Sequence, residues 1–208
     1  MKIVFEGDSI TDAGRDRSNP HDMGEGYPKF ASAMLQDSFP DTDFEFINMG
    51  ISGDRTEQLV ERVDQLVAHQ PDVVVILIGV NDVWAFYTHG IITTDAAFEA
   101  NYRKILSAVK ENTSAKIVML QPFLLNVDDK EHMRGALSRK LDICQKLADE
   151  FADAYLPLDD LLRSQPEEPE LYAYDGVHPT ADGACLIGEA CLHAMEPLIH
   201  EIEAASDQ

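Results

Sequence analysis

Cysteine is scarce in this 208-residue sequence, which contains only Cys144, Cys185 and Cys191. Their spacing is typical neither of a disulfide framework nor of a zinc site. Cys144 falls on the apolar stripe of a helical pattern and the other two lie in a second helical stretch. We therefore interpret all three as small hydrophobic residues that pack inside the protein.

Long apolar runs are also missing. No run approaches the roughly 20 residues that a transmembrane helix needs. The amino terminus reaches Glu6 too early to form the apolar region of a signal peptide. We therefore predict a cytoplasmic protein that does not bind to membranes.

Positive charge is the third deficit. The chain has 16 lysine and arginine residues against 38 aspartate and glutamate residues, a formal net charge of −22. Binding to nucleic acid or to an anionic membrane surface requires clustered basic residues. We therefore exclude both partners and expect neutral or cationic substrates. The acidity itself is better explained by a contribution to solubility than by a role in attracting substrate.

Apolar and amphipathic segments alternate along the chain, which predicts an α/β fold. The predicted strands are residues 2–6, 44–48, 73–78, 116–120 and 154–158. The predicted helices are residues 27–38, 55–69, 96–111, 129–151 and 179–195. This alternation favours a parallel sheet of about five strands, covered by helices on both faces. At this length we expect one domain, residues 1–208, with a frayed tail at residues 203–208.

Polar residues follow the predicted strands at four points. Ser9 follows the first strand, Gly53 the second and Asn81 the third, and the pair Asp175 and His178 follows the last strand and a short helix. The carboxyl ends of parallel strands lie at one edge of a sheet, where ligands usually bind. We therefore expect these residues to converge.

Each of these residues suits one task in acyl transfer. Ser9 can attack a carbonyl once His178 has taken its proton, and Asp175 lies close enough in sequence to orient the imidazole. The Gly53 N–H and the Asn81 amide can donate hydrogen bonds to an oxyanion. Taken singly, each residue has an ordinary structural role, such as a turn serine or a helix-capping asparagine. The five residues together, in four segments of the chain, are better explained by catalysis than by chance.

Two alternatives within the site remain open. The nucleophile elbow of α/β-hydrolases is absent, because Thr11 stands where its second glycine belongs. Asp8, next to the serine, is a second candidate for the acid that orients the histidine. We prefer Asp175, because a three-residue loop gives it an easier path to His178.

At these residues the chain resembles the SGNH (GDSL-type) hydrolase superfamily, whose four sequence blocks match the four segments in order. The resemblance implies a flavodoxin-like three-layer α/β/α sandwich and a triad of Ser9, His178 and Asp175. It also implies an oxyanion hole formed by the Ser9 N–H, the Gly53 N–H and the Asn81 amide. Residues 7–12 with Arg15, together with residues 50–53, 79–84 and 175–179, are similar to those of carbohydrate acetylesterases, especially enzymes that act on acetylated xylo-oligosaccharides.

The resemblance thus implies a serine esterase for short-chain acetyl esters, acting on an acetylated sugar without a metal or other cofactor. Aromatic residues flank the blocks, and we expect Trp84 and Tyr174 to contact a sugar, with Arg55 as a further candidate contact. Exposed aromatics would equally suit a homo-oligomer contact. The alternatives are a thioesterase or lysophospholipase with the same triad and, less favoured, a non-catalytic carbohydrate-binding protein.

Overall fold

A parallel five-stranded sheet forms the centre of the fold in the computed structural model, which describes residues 1–206 but not the side chains of residues 128–129. The strands lie in the order β2-β1-β3-β4-β5. Their bounds are β1 Lys2–Gly7, β2 Glu45–Asn48, β3 Val73–Leu77, β4 Lys116–Leu120 and β5 Ala154–Leu156. This strand order is the flavodoxin-like doubly wound order, so the fold expected from the sequence is confirmed.

Helices cover both faces of the sheet. They are α1 Ser9–Asp12, α2 Tyr27–Ser38, α3 Thr56–Ala68, α4 Val80–His89, α5 Asp95–Asn112, α6 Arg134–Phe151, α7 Leu158–Arg163 and α8 Ala181–Ser206. Short 3₁₀ helices precede α6 at Asp128–Met133 and follow α7 at Pro169–Leu171. One face packs against α2 and α8, and the other against α3, α5 and α6.

The central strand β3 shows why the sheet needs two helical layers. All five of its side chains are buried. Val73, Val75 and Leu77 belong to the hydrophobic cluster on the α2/α8 side, whereas Val74 and Ile76 belong to the cluster on the α3/α5 side. An unbroken run of branched apolar residues therefore fills both cores at once, which is the pattern of a buried parallel strand.

Three predicted elements differ from the structure by more than one residue at a boundary. Strand β5 ends at Leu156 because Pro157, which has no N–H for the sheet, begins the turn into α7. The predicted helix 129–151 starts as a 3₁₀ helix and becomes α-helical only at Arg134. The last helix begins at Ala181 and continues through Pro197 to Ser206, well beyond Met195.

The structure also tests the sequence predictions for the carboxyl-terminal segment and the cysteines. Residues 203–206, expected in a frayed tail, continue α8, and residues 207–208 lie outside the described part of the chain. Cys144 and Cys191 are buried as expected, Cys185 is half-buried, and all three are free thiols. Within residues 1–206, no helix is both long and apolar enough to cross a bilayer.

A buried ion network ties the strand ends together near the carboxyl edge of the sheet. The Arg62 guanidinium of α3 lies 2.7 Å from Glu6 of β1 and 2.9 Å from Asp54, in the loop between β2 and α3. It also donates to the carbonyls of Met49 and Gly7, at 3.0 and 3.2 Å. Burial raises the pKa of Glu6 to about 7 against the opposing attraction of Arg62. This guanidinium is therefore the counter-ion of two carboxylates that have little access to water.

Replacing Arg62 with methionine is expected to destabilise the protein by about 3–5 kcal/mol, because two carboxylates would lose their shared cation. Equilibrium unfolding in urea, followed by circular dichroism, measures this loss. Arg163→Met is the matched control, since Arg163 is exposed and forms no ion pair with the described residues. A loss below about 1 kcal/mol for Arg62→Met would show that the network contributes little to stability.

Candidate active site

Ser9 lies at the carboxyl end of β1, in the first turn after the strand. Asp8 caps the one-turn helix α1 by accepting a hydrogen bond from the Ile10 N–H at 3.0 Å. Gly7 permits this tight exit, because a Cβ atom there would lie 2.3 Å from the Leu77 carbonyl oxygen. The strand end and the cap together leave the half-buried Ser9 hydroxyl at the edge of the sheet.

His178 reaches Ser9 from the loop before α8. Its Nε2 atom lies 3.1 Å from Ser9 Oγ, and its Nδ1 atom lies 2.8 Å from Asp175 Oδ2. The second oxygen of Asp175 accepts the backbone N–H groups of Val177 and His178, at 3.0 and 2.7 Å. Gly176 closes this turn with a φ of +83°, a conformation that favours glycine. The loop therefore holds the carboxylate and the imidazole in one fixed pair.

The electrostatics of the pair favour an ion pair between Asp175 and a protonated imidazole. The hydrogen bond to Asp175 raises the pKa of His178 above its ordinary value, although partial burial opposes the shift. Burial alone would raise the pKa of Asp175, but the hydrogen bonds from His178 and Val177 outweigh it and hold that pKa well below its usual range. Asp175 is thus a carboxylate that stabilises the charge His178 acquires on taking a proton.

Asp8 has a different environment from Asp175. Its Oδ1 atom is engaged by the Ile10 N–H, and its Oδ2 atom has no hydrogen-bond partner among the described residues. Burial raises the pKa of Asp8 to about 7. In this geometry Asp8 caps a helix, whereas Asp175 holds the imidazole. The geometry therefore favours Asp175 as the acid that orients His178.

Gly53 and Asn81 line the same pocket as Ser9 and His178, a cavity of about 380 Å³ that we call the Trp84 pocket. Gly53 has a φ of +89° and open space where a Cβ atom would stand. Asn81, in the first turn of α4, donates one amide hydrogen to the Asp54 carbonyl at 2.9 Å. The other amide hydrogen is left for a ligand, so both residues can donate to an oxygen bound beside Ser9.

The structure also brings the predicted substrate contacts to this site. The Trp84 ring lies 5.6 Å from the His178 ring, and the Tyr174 ring is stacked on it at 6.1 Å. Tyr174 is 61% exposed, so its outer face is open to solvent. Arg55 lines the Trp84 pocket and also pairs with Glu57 at 2.7 Å.

Two other aromatic residues of α4 are not part of the Trp84 pocket. Phe86 and Tyr87 line a separate cavity that contains neither Ser9 nor His178. Arg134 forms an ion pair with Asp159 at 2.7 Å. No group of three potential metal ligands occurs among the residues whose positions are described.

Sequence reasoning missed several residues of the Trp84 pocket, namely Ser52, Thr88, His89 and Ile91. The last three lie at the end of α4 or just after it, and that helix was not predicted. Its start depends on Gly79, whose φ of +135° only glycine adopts readily. A glycine directly after a buried strand, followed by the cap-like pair Asn81 and Asp82, was the available signal.

Comparison with known proteins places this chain among ester hydrolases. Residues 5–185 match the model of the GDSL-like lipase/acylhydrolase family. An acetylxylan esterase of Geobacillus stearothermophilus is 29% identical over 203 residues, which cover 92% of each chain. The solved structure of an acetylxylan esterase from the same organism is 27% identical, covers 94% of each chain and superimposes with a TM-score of 0.84.

A further solved structure, assigned as a GDSL-like lipase of Parabacteroides merdae, is 32% identical. It covers 93% of this chain and 94% of its own, with a TM-score of 0.89. The likeness therefore extends over the whole sheet and both helical layers, well beyond the four motif segments.

The imidazole of His178 is expected to titrate above the ordinary histidine value of about 6.5, since Asp175 stabilises its protonated form. Asp175→Asn removes that negative charge and should lower the pKa of His178. NMR titration of the histidine side chains measures both values. Asp64→Asn, an exposed matched change, should leave them as they are. An unchanged pKa of His178 in Asp175→Asn would contradict the assigned cause.

Proposed function

We propose that this chain, which belongs to the GDSL-like lipase/acylhydrolase family, removes acetyl groups from acetylated carbohydrates such as xylo-oligosaccharides. The family match and the esterase relatives show a carboxylic-ester hydrolase. The acetylated sugar and the roles of the individual residues are the parts that we propose. The observation that carries them is the hydrogen-bonded series Ser9, His178 and Asp175, which opens onto a pocket with Gly53 and Asn81.

Acylation begins at Ser9. Its Oγ atom forms a bond to the acetyl carbon as His178 Nε2 takes the hydroxyl proton, over the 3.1 Å that separate the two atoms. The electron pair of the carbonyl moves to its oxygen, which accepts hydrogen bonds from the Ser9 N–H, the Gly53 N–H and the Asn81 amide. Each such donor typically contributes about a hundredfold to a thousandfold to the rate.

The intermediate then collapses and the alcohol leaves. The bond between the acetyl carbon and the sugar oxygen breaks, and that oxygen takes the proton held by His178. A water molecule repeats the sequence on acetyl-Ser9: it gives a proton to His178, forms a bond to the carbon and expels Ser9, which takes the proton back. Asp175 stays ionised throughout and stabilises the imidazolium in both steps.

The acetylated sugar is supported by the relatives and by the pocket. Two comparisons lead to proteins described as acetylxylan esterases. In this chain Trp84 and Tyr174 both lie next to the His178 ring, where a sugar ring attached to the reacting ester would lie. We assign these two residues to sugar contact and Arg55 to the wall of the same pocket.

A thioesterase or lysophospholipase is the second candidate, and one observation favours it. Ile91 lines the Trp84 pocket and is 42% exposed, so the wall of this pocket offers an apolar side chain. A longer acyl chain could pack there. A purely carbohydrate-binding protein has less support, because it has no need of a histidine bonded to Ser9. Location in the cytoplasm and a homo-oligomer remain predictions from the sequence.

Ser9→Ala is expected to lower acetate release from acetylated xylo-oligosaccharides by about 10³-fold or more, because no other group takes over the bond to the acetyl carbon. Coupled enzymatic assay of acetate measures the rate. Ser138→Ala, an exposed serine on α6, is the matched control and should keep the wild-type rate.

Two results would contradict the proposal in different ways. Full activity of Ser9→Ala would show that the nucleophile is wrong. If nitrophenyl esters are cleaved faster as the acyl chain lengthens from acetate to octanoate, the thioesterase or lysophospholipase is the better assignment.

A further inference from the structure

A second pocket opens on Ser9 and His178, beside the Trp84 pocket. It has a volume of about 490 Å³ and shares Ser9, Ser52 and His178 with the Trp84 pocket. Its remaining wall is formed by residues 12–15 and Arg17, in the segment that follows α1. We call it the Arg15 pocket. A ligand that reacts with Ser9 can therefore extend to either side of His178.

Arg15 is held in this pocket by one hydrogen bond. Its Nε atom donates to the Gly50 carbonyl at 3.0 Å, which fixes the side chain while the two terminal nitrogens remain unengaged among the described residues. The Arg15 residue is only partly exposed. Partial burial lowers the pKa of Arg15, with the attraction of Asp12 as an opposing influence. Glu6 also opposes this shift, whereas the positive charges of Arg17 and Arg62 add to it.

The lack of a counter-ion sets Arg15 apart from the arginines around it. Arg17 pairs with Asp12, whose Oδ2 atom also accepts the Ser52 N–H. Arg55 pairs with Glu57. No carboxylate within the described part of the chain forms an ion pair with Arg15, although acids outnumber bases by 38 to 16 in the sequence.

The nearest other carboxylates have their own partners. Asp16 accepts the N–H and the hydroxyl of Ser18, at 2.9 and 2.7 Å. Asp22 accepts the N–H groups of Asp16 and Gly24, at 2.8 and 3.0 Å. Arg15 attracts both carboxylates and contributes to their lowered pKa values, but neither lies within ion-pair distance of its guanidinium among the described residues.

We propose that the Arg15 pocket binds a carboxylate on the alcohol portion of the ester, and hence that the preferred substrates are acetylated acidic sugars of the uronic acid class. This inference rests on the proposed function. A guanidinium offers a planar pair of donors that matches a carboxylate. An acetyl group fills only the space next to Ser9, so the sugar ring can contact Trp84 while its carboxylate reaches Arg15. The overall charge of −22 by itself predicts a preference for neutral or cationic substrates, so Arg15 is a local exception.

A matched pair of substrates tests the proposal. The first is an acetylated methyl glucuronide, and the second is the same compound with its carboxylate blocked as a methyl ester. The wild type should favour the free acid by about tenfold in kcat/KM, the range of one charge-assisted contact at a partly exposed site. Arg15→Gln should lower that ratio to about one, and Arg15→Lys should restore part of it. Arg163→Gln should keep the wild-type ratio.

A binding measurement keeps this test separate from the proposed function. Trp84 is the single tryptophan of the sequence and lies beside His178, so its fluorescence should report ligands without an ester. Methyl glucuronide should bind more tightly than methyl glucoside, and added salt or Arg15→Gln should remove the difference. Equal binding of the two sugars by the wild type, or an unchanged preference in folded Arg15→Gln, would overturn the proposal. Lack of acetate release with the binding preference intact would instead count against the proposed function alone.

Discussion

The buried guanidinium of Arg62 is the interaction on which the geometry of the site depends. It bonds Glu6, which is three residues before Ser9, and Asp54, which directly follows Gly53. The carbonyl of Asp54 in turn accepts the Asn81 amide. One side chain on α3 thus connects three strand ends that are far apart in sequence. A buried charge of this kind is strongly destabilising without its partners, and here those partners adjoin the residues that surround the reacting ester.

The pair of Asp175 and His178 is held by a separate set of hydrogen bonds. Asp175 accepts two backbone N–H groups of its own turn and the imidazole of His178, so one carboxylate fixes both the loop and the ring. Gly176 packs its turn against the loop after β4, where its carbonyl accepts the Leu125 N–H at 2.8 Å. The base is therefore positioned independently of Arg62, and the two sets of interactions meet at the contact between Ser9 and His178.

Much of this arrangement follows from the sequence because its determinants are local. The run Val73–Leu77 predicts a buried parallel strand, and the polar residues behind the strands predict which side chains meet at the carboxyl edge. Helix α4 was missed because it is short and begins at Gly79 in a conformation that no apolar pattern signals. One partner of Arg62, Glu6, lies 56 residues away, and the lack of an ion-pair partner for Arg15 is a property of the folded surroundings. Neither is encoded by neighbouring residues.

The central claim is that Ser9, activated by His178, is the nucleophile. Its most direct test is reaction with a nitrophenyl alkylphosphonate, followed by mass spectrometry of the digested protein. The account predicts one adduct, on Ser9, formed with release of nitrophenolate and loss of esterase activity, and greatly slowed in His178→Ala. Failure to form an adduct, or an adduct on another residue such as Ser52 with the activity lost, would contradict it.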